Sequence, residues 1–266
     1  MEETRLMDMQ FCGNGTYENP SAGTCDEYRV NGIASMDDLN EVYRSLVGAH
    51  PGFKPLFSLD DLSQARYTSG HARNALGMDD ATEQDIAQLP PACFENGEYR
   101  GYPTTKEEFA FCFRNFIGLV ADTYFADACE HGLTLDQQAL SEWTEYQQHP
   151  ISLIEQPLLA LVVPVWQSYE ALAAFPNGYF TSDLDPAKNF AVARHFLETH
   201  GYELIGVGAS YLGFMRAEPP DESRAKQVAS DFCALYNTPD EAREAVVSLV
   251  VSAITGRTHL WLRYVE

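Results

Sequence analysis

The run Leu158-Leu159-Ala160-Leu161-Val162-Val163 decides the fold class of this 266-residue chain. Six consecutive apolar residues bury both faces of a strand, which is typical of a strand in the interior of a sheet. Further on, Asp185 supplies a helix N-cap and Pro186 a preferred first helical residue. Residues 202–207 and 211–216 have the character of two strands around a glycine-rich turn. This stretch of the chain therefore predicts strands that alternate with helices.

The end of the chain continues this alternation. A helix is predicted over 223–236, and Thr238 with Glu241 at the third helical position predicts the start of another. That helix is expected to run to Gly256, because glycine is the preferred residue just after a helix. Residues 259–265 are predicted as a final strand.

The beginning of the chain is richer in polar turns. A strand is predicted over 6–12. Ser35 and Asp38 stand three residues apart, which indicates a capping box. The helix that they open is expected to end before Pro51, since proline cannot continue a helix.

A long polar stretch separates this helix from the next one. Residues 60–100 are polar and show a helix signal only over 82–89, before Pro90-Pro91. Thr105 and Glu108 then form a second capping box. The helix after them is apolar on all sides as far as Phe125, which predicts a buried and central helix.

Together these elements predict an α+β fold, with a mixed sheet or sheets and helices packed on them. The chain divides near residue 150 into an N-terminal α+β part, 1–150, and a C-terminal α+β part, 151–266. The two parts either form similar-sized α/β layers or subdomains, or they join in one continuous domain. The sequence leaves both arrangements open.

The charge of the chain restricts its partners. There are 17 Lys and Arg against 39 Asp and Glu, a formal net charge of -22 at pH 7. Such a chain repels nucleic acid and anionic membranes and attracts basic proteins. We therefore expect a basic protein partner, no direct nucleic-acid contact and no membrane partner. Since 45% of the residues are hydrophobic, the chain can still form a core.

Compartment and thiol chemistry follow from the same composition. The N-terminus, Met1 to Arg5, lacks the apolar region of a signal peptide, and the apolar stretch 109–128 carries too many charges to span a membrane. A cytoplasmic location is expected. The six cysteines are scattered without a CxxC motif, so we expect free, partly buried thiols.

No linear motif indicates a catalytic site. Residues 206–213 are glycine-rich but continue into a predicted strand, whereas a phosphate-binding loop opens a helix. A serine nucleophile elbow is missing, and Cys112 and Cys129 stand in apolar stretches where a thiol is unreactive. The sequence therefore predicts a protein that is not an enzyme, with no catalytic residue and no cofactor.

Histidines do not indicate a metal site either. His195 and His200 are five residues apart, whereas two zinc ligands on one helix face are spaced by four. His200, next to Gly201, is better interpreted as a hydrogen-bond donor at a helix C-terminus. His71 stands in a polar, basic stretch over 68–74, which fits a surface loop in local salt bridges better than the alternative, an anion-binding site. No metal is expected.

Pairs of neighbouring carboxylates recur along the chain, mostly at predicted helix starts, where the helix dipole favours negative charge. The helix dipole explains the position of each pair, but it does not explain the total number of carboxylates, because excess charge destabilises a compact state. Two segments are therefore predicted to contact a basic partner: an acidic run and an acidic loop with two tyrosines, which supply rigid contact area. Their residues are Asp79, Asp80, Glu83 and Asp85, and Glu95, Glu98, Tyr99 and Tyr102.

Two short segments carry a family resemblance. The stretch from Val42 to Phe53 and the sequence Tyr179-Phe180-Thr181-Ser182 before a helix resemble bacterial immunity proteins. These are α+β inhibitors of polymorphic and type VI secreted toxins, and the subgroup in question accompanies restriction-endonuclease-like DNase toxins. The part from Pro164 through the last strand also resembles an uncharacterised bacterial α+β domain family, which implies a fold without a mechanism.

The immunity resemblance implies a cytoplasmic antitoxin that binds one toxin, and it assigns no contact residues. The leading hypothesis is therefore an immunity protein that binds a basic nuclease toxin by electrostatically steered association. Two alternatives stay open: an enzyme whose carboxylates assemble only in the folded state, and an acidic DNA mimic whose carboxylates are spaced like phosphates.

Overall fold

The fold is centred on one mixed sheet of seven strands, in the order β1-β2-β6-β3-β7-β8-β9. The computed structural model describes residues 7–16, 19 and 23–265, so the N-terminal residues 1–6 lie outside the described residues. So does part of the predicted turn over 19–23. The strands are β1 (Asp8–Gly13), β2 (Asp26–Asn31), β3 (Lys54–Ser58), β4 (Phe94–Glu95), β5 (Glu98–Tyr99), β6 (Leu158–Val163), β7 (Glu203–Val207), β8 (Tyr211–Met215) and β9 (His259–Arg263).

Strand β6 lies inside the sheet, as its sequence predicts. All six of its residues are buried, and it pairs antiparallel with β2 on one side and β3 on the other. Beyond β3 the sheet continues through the parallel pair β3–β7 and the antiparallel pairs β7–β8 and β8–β9. The predicted α+β class with a mixed sheet is confirmed. Since β6 follows residue 150 and both of its neighbours precede it, the two parts of the chain share this sheet.

Nine α-helices are described, and helices pack on the sheet. They are α1 (Met36–Ala49), α2 (Leu62–Ala75), α3 (Glu83–Ile86), α4 (Phe109–Val120), α5 (Phe125–His131), α6 (Gln137–Gln148), α7 (Pro186–His200), α8 (Glu222–Leu235) and α9 (Asp240–Ile254). Short 3-10 helices occur at Pro91–Cys93, Lys106–Glu108, Pro150–Leu153 and Ser168–Ala173. None of the helices in the described part of the chain has the length and apolar character needed to cross a membrane.

Most predicted helix starts are confirmed by their caps. The Ser35–Asp38 box opens α1, and the Asp185 carboxylate accepts a hydrogen bond from the Lys188 N–H at the start of α7. Thr238 as the cap of α9 is wrong, because the helix begins at Asp240 with Pro239 as its N-cap. Thr238 belongs instead to the end of the preceding helix, because its N–H donates to the Cys233 carbonyl at 3.0 Å.

The predicted helix from residue 105 to Phe125 is two helices. Helix α4 ends at Val120, and α5 begins at Phe125 after a separate cap, in which the Tyr124 N–H donates to Asp127 at 2.6 Å. Only one face of α4 is buried, rather than all sides. Gly132 ends α5 with a φ of 89°, as its position predicts.

Helix α2 is the largest element that the sequence does not reveal, and it contains the stretch 68–74 that was predicted as a loop. Its buried side chains are small or hydroxylated, so the hydrophobic periodicity that identifies an amphipathic helix is weak. The Thr68 hydroxyl, for example, donates to the Gln64 carbonyl at 2.9 Å inside the helix. The buried residues of α2 are Ala65, Thr68, Ser69 and Ala72.

The outer edge of β9 is covered by α6 rather than by another strand. The Gln147 side-chain N–H donates to the His259 carbonyl at 2.9 Å, and its Oε1 accepts from the Trp261 N–H at 3.1 Å. A side-chain amide thus replaces a neighbouring strand. Trp143, one turn earlier and fully buried, donates to the Trp261 carbonyl at 2.7 Å. Covering an edge in this way protects it from pairing with other chains.

A buried carboxyl group lies beyond the ends of the parallel pair β3–β7. Asp60 follows β3, and a Cβ on Gly208 after β7 would stand only 1.9 Å from Asp60 Oδ1. That oxygen is buried and has no hydrogen-bond partner. Burial raises the pKa of Asp60 to about 6, because desolvation of the charged form outweighs the hydrogen bonds from Ser210 and Tyr211 that lower this pKa.

This raised pKa leads to a pH-dependent prediction for Asp60→Asn. Folded Asp60 holds its proton at a higher pH than unfolded Asp60, so its contribution to stability falls as pH rises from about 4 to 6. At pH 7 we expect Asp60→Asn to raise the free energy of unfolding by about 1–2 kcal/mol, and at pH 4 to leave it nearly unchanged. Urea unfolding of the wild type and the variant at pH 4 and pH 7 measures these free energies.

The exposed carboxylate Glu198 serves as the matched control, and Glu198→Gln should leave the pH profile of stability unaltered. A loss of stability in Asp60→Asn at pH 7, or an equal gain at both pH values, would contradict the assignment.

Candidate partner-binding site

The predicted contact residues fall within one continuous stretch, residues 79–108, which we call the acidic segment. It carries eight Asp and Glu residues against Arg100 and Lys106. It runs from the end of α2 to the start of α4 and contains α3 and the β4–β5 hairpin. Its structure decides which of its carboxylates face outward.

The beginning of the acidic segment is anchored from within. Asp79 turns toward α2 and pairs with Arg73, whose Nε lies 3.2 Å from Oδ2. Burial lowers the pKa of the Arg73 guanidinium, but the hydrogen bond and charge of Asp79 outweigh it and raise that pKa above its ordinary value. On the other side, Asn115 of α4 donates to the carbonyls of Met78 at 3.1 Å and Asp80 at 2.8 Å. Asp79 is therefore a structural residue, whereas the Asp80 side chain stays exposed.

Asp85 is held at the surface by a bidentate ion pair. Its two carboxylate oxygens accept hydrogen bonds from Arg114 at 2.6 and 2.9 Å. Asp85 also forms a capping box with Thr82 at the start of α3. The hydrogen bond from Arg114, followed by that from Thr82, holds the pKa of Asp85 well below its ordinary value. The Asp85–Arg114 pair lines a groove of about 630 Å³ between residues 82–90 and the first turns of α4.

The acidic loop of the prediction is a small hairpin. Asn96 and Gly97 join β4 to β5 with φ values of 53° and 85°, as a tight two-residue turn requires. Glu95 and Glu98 flank this turn and are exposed. Tyr99 faces inward instead, because its hydroxyl donates to Glu108 at 2.9 Å. Glu108 directly precedes α4 and Arg114 lies in its second turn, so the hairpin and residues 82–90 both contact the N-terminal half of this helix region.

The structure thus divides the eight predicted contact residues. Asp79 and Tyr99 make internal contacts, and Asp85 is half-buried and paired. Burial raises the pKa of Tyr99, and its hydrogen bond to Glu108 raises it further. Tyr102 is 60% exposed. The outward-facing members are Asp80, Glu83, Glu95, Glu98 and Tyr102.

A cavity of about 400 Å³ lies beside α2. The sequence does not predict it, because the sequence does not reveal α2. Arg66 and Arg73 both line it, and Arg66 lies 3.4 Å from the buried Glu27. Burial raises the pKa of the lining thiol Cys25 to about 12, so this thiol stays protonated. The described lining residues themselves carry no carboxylate, but each of the two arginines pairs with one, Arg66 with Glu27 and Arg73 with Asp79.

An exposed aromatic ridge lies on the next face of α2. The His71 ring lies between Tyr67, in an edge contact at 4.4 Å, and Tyr179, tilted at 5.0 Å, and Phe180 contacts Tyr179 at 5.5 Å. Tyr67, Tyr179 and Phe180 are 58%, 41% and 49% exposed. The prediction that His71 lies in a loop is wrong, since it is a helical residue among aromatic rings. Large exposed rings of this kind are enriched at protein interfaces.

The cysteines are free thiols throughout the described residues, as predicted. Burial raises the pKa of Cys112 to about 12 and that of Cys129 to about 11. Both thiols are therefore protonated at neutral pH, which makes them poor nucleophiles.

A histidine cluster contradicts the spacing argument against a shared site. His195 and His200 both reach Asp231 of α8, with Nε2 to Oδ2 distances of 2.6 and 2.8 Å. Burial raises the pKa of Asp231, but hydrogen bonds to the two histidines outweigh it and hold that pKa well below its ordinary value. The five-residue spacing does not prevent convergence, because His200 ends α7 and both rings bend toward a residue on another helix.

Comparisons with known proteins find a similarity for part of the chain and name no activity. No curated protein and no solved structure matches it. One family model matches residues 159–263, from within β6 to the end of β9. This range is close to the part whose sequence resembles an uncharacterised α+β domain family. It covers less than half of the chain and leaves out the acidic segment. Residues 159–263 are similar to the family described as "Domain of unknown function (DUF4253)".

Proposed function

We propose that this protein is a cytoplasmic immunity protein that binds and inhibits a basic secreted toxin, most simply a nuclease, through the acidic segment. One observation carries the proposal. Of the eight carboxylates in the segment, Glu108 is buried, and Asp79 and Asp85 are paired with arginines. The five others face solvent: Asp80, Glu83, Glu95, Glu98 and Glu107.

Charge alone makes such a surface suited to a nuclease. A nuclease needs a basic groove to hold phosphates, and a surface of unpaired carboxylates competes for that groove. Salt screens charges beyond about 8 Å at physiological ionic strength, so only carboxylates close to the contact steer the partner effectively. Five exposed carboxylates in one stretch of 30 residues meet that condition better than the same charges spread over the surface.

Shape supports the same site. The groove between residues 82–90 and α4 has a volume of about 630 Å³, enough for an arginine or lysine side chain of the toxin, and Asp85 lines it. An incoming cation would share or replace Arg114 on this carboxylate. Tyr102, exposed in the same segment, offers the rigid aromatic surface that often dominates binding energy.

The proposal predicts a toxin gene next to the gene for this protein, and inhibition of that toxin tests it. Purified toxin is incubated with an equimolar amount of this protein, and DNA cleavage is followed with time. We expect cleavage to stop at a one-to-one ratio. An unrelated protein of similar net charge is the control, and it should leave cleavage unaffected. Full nuclease activity in the presence of excess protein would reject the proposed function.

A further inference from the structure

A second site lies among helices α5, α7 and α8, apart from the acidic segment. It consists of His195 and His200 on α7 and Asp231 on α8. Their ligand atoms, two imidazole nitrogens and one carboxylate oxygen, all lie within 4.8 Å of one another. Atoms this close need only small side-chain rotations to reach the 2.0–2.2 Å bonds of a common metal ion.

The two histidines are held in place by their surroundings. The His195 ring stacks on Phe125 at 4.0 Å with an interplanar angle of 4°. Its other nitrogen, Nδ1, lies 3.4 Å from the Thr199 hydroxyl, so it has a polar partner on the side away from Asp231. His200 has only 2% of its side chain exposed. Metal-binding histidines are typically oriented by contacts of this kind.

One side of the cluster stays open to solvent. The side chains of His195 and Asp231 are 25% and 28% exposed. A closed structural zinc site uses four protein ligands, whereas a site with three leaves room for water or another small ligand. The cluster has three ligands with an approach from outside, which fits the second type.

We propose that His195, His200 and Asp231 bind a divalent transition-metal ion, with Zn²⁺ as the best match. Two imidazoles and one carboxylate form a ligand set that suits zinc, whereas calcium and magnesium prefer oxygen ligands alone. On binding, the proton on each Nε2 moves to Nδ1 of the same ring or leaves to solvent, and the metal takes its place between the nitrogens and the carboxylate. The ion would join α7 to α8.

Direct titration with Zn²⁺ tests this site. The full-length protein is freed of metal with a chelator, the chelator is removed, and ZnCl₂ is added in a calorimeter at neutral pH. We expect one ion per chain. His195→Gln keeps a side chain that can hydrogen-bond to Asp231, and we expect it to weaken zinc binding by roughly 100-fold. Asp231→Asn, which keeps the shape of the side chain, should do the same.

The matched control is His149→Gln. His149 is an exposed histidine at the end of α6, 3.7 Å from Glu145, and has no contact with the cluster. We expect this variant to bind zinc like the wild type. Circular dichroism confirms that each variant is folded, so that weakened binding reports on the ligands.

Cobalt substitution distinguishes this cluster from adventitious binding by thiols. Co²⁺ held by nitrogen and oxygen ligands gives visible bands without the near-ultraviolet band of a cobalt–thiolate bond. A thiolate band, an absence of stoichiometric zinc binding, or unchanged affinity in both His195→Gln and Asp231→Asn would each overturn the proposal. The last two results would leave the cluster as an ion-pair network between helices. None of these outcomes depends on inhibition of a toxin.

Discussion

Replacing Glu83, Glu95 and Glu98 together by lysine is expected to slow association with the toxin by about 10- to 100-fold at low ionic strength. All three side chains are exposed in the acidic segment, and the substitutions change its net charge by six units. Attraction to a basic groove then disappears near the contact, where screening is weakest. Stopped-flow mixing of this protein with the purified toxin measures the association rate.

The salt dependence gives a second readout of the same interaction. For the wild type we expect the association rate to fall steeply as ionic strength rises, while the dissociation rate changes little. The lysine variant should associate at a rate that hardly depends on salt. A wild-type rate that is independent of salt would indicate an apolar interface instead.

A control with the same total charge separates local from global effects. Asp37 and Glu41 of α1 and Glu244 of α9 are also exposed, and they lie outside the acidic segment. Their joint replacement by lysine changes the net charge of the protein by the same amount. We expect it to slow association much less. Equal slowing by both triple variants would mean that overall charge, and not the acidic segment, steers the partner.

Gly178→Ala is expected to destabilise the fold by about 3 kcal/mol or more. Gly178 has a φ of 102°, a conformation that alanine rarely adopts. A Cβ there would stand 1.8 Å from the Leu184 carbonyl oxygen and 2.8 Å from its carbon. These are backbone atoms, so the clash cannot be relieved by rotation of a side chain.

The loop around Gly178 cannot move away easily. The Asn189 side-chain N–H groups donate to the carbonyls of Asn177 at 2.9 Å and Leu184 at 3.0 Å, which ties both ends of the loop to α7. The Asn177 amide in turn donates to the Gly208 carbonyl at 3.0 Å, after β7. Relief of the clash would therefore break buried hydrogen bonds, each of which costs about 1–3 kcal/mol when left unsatisfied.

Urea unfolding measures the effect, with Gly118→Ala as the matched control. Gly118 lies within α4, and a Cβ on it would meet no atom within 4 Å. We expect Gly118→Ala to stabilise the protein by about 0.5–1 kcal/mol, since alanine is the better helix former. A Gly178→Ala variant as stable as the wild type would show that the loop has an alternative conformation.

Elements with strong local signals were predicted well from the sequence. Strand β6 is recognisable because apolar residues on both faces leave little alternative to an interior strand. The starts of α1 and α7 are recognisable because their caps depend on residues three apart in the chain. Helix α2 was missed because its buried face consists of small and hydroxylated residues, whose burial comes from neighbours far away in sequence.

The candidate site was predicted only in part, for the same reason. Asp79 and Asp80 are adjacent and chemically identical, yet one pairs with Arg73 on α2 and the other is exposed. Tyr99 and Tyr102 differ in the same way: the Tyr99 hydroxyl donates a hydrogen bond to Glu108, just before α4, whereas the Tyr102 side chain is exposed. Nothing in the local sequence distinguishes these pairs, since their partners belong to other helices.

By itself, the sequence determined the α+β class, the strong negative charge, the free thiols and most of the helix caps, all of which depend on composition or on neighbours within a few residues. Only the tertiary structure decided which carboxylates face solvent, and only it joined His195 and His200 to Asp231, which is 31 residues beyond His200. Contacts between side chains that are far apart in sequence depend on how the helices pack over the shared sheet. That packing is set by the whole core together, so no single stretch of sequence encodes it.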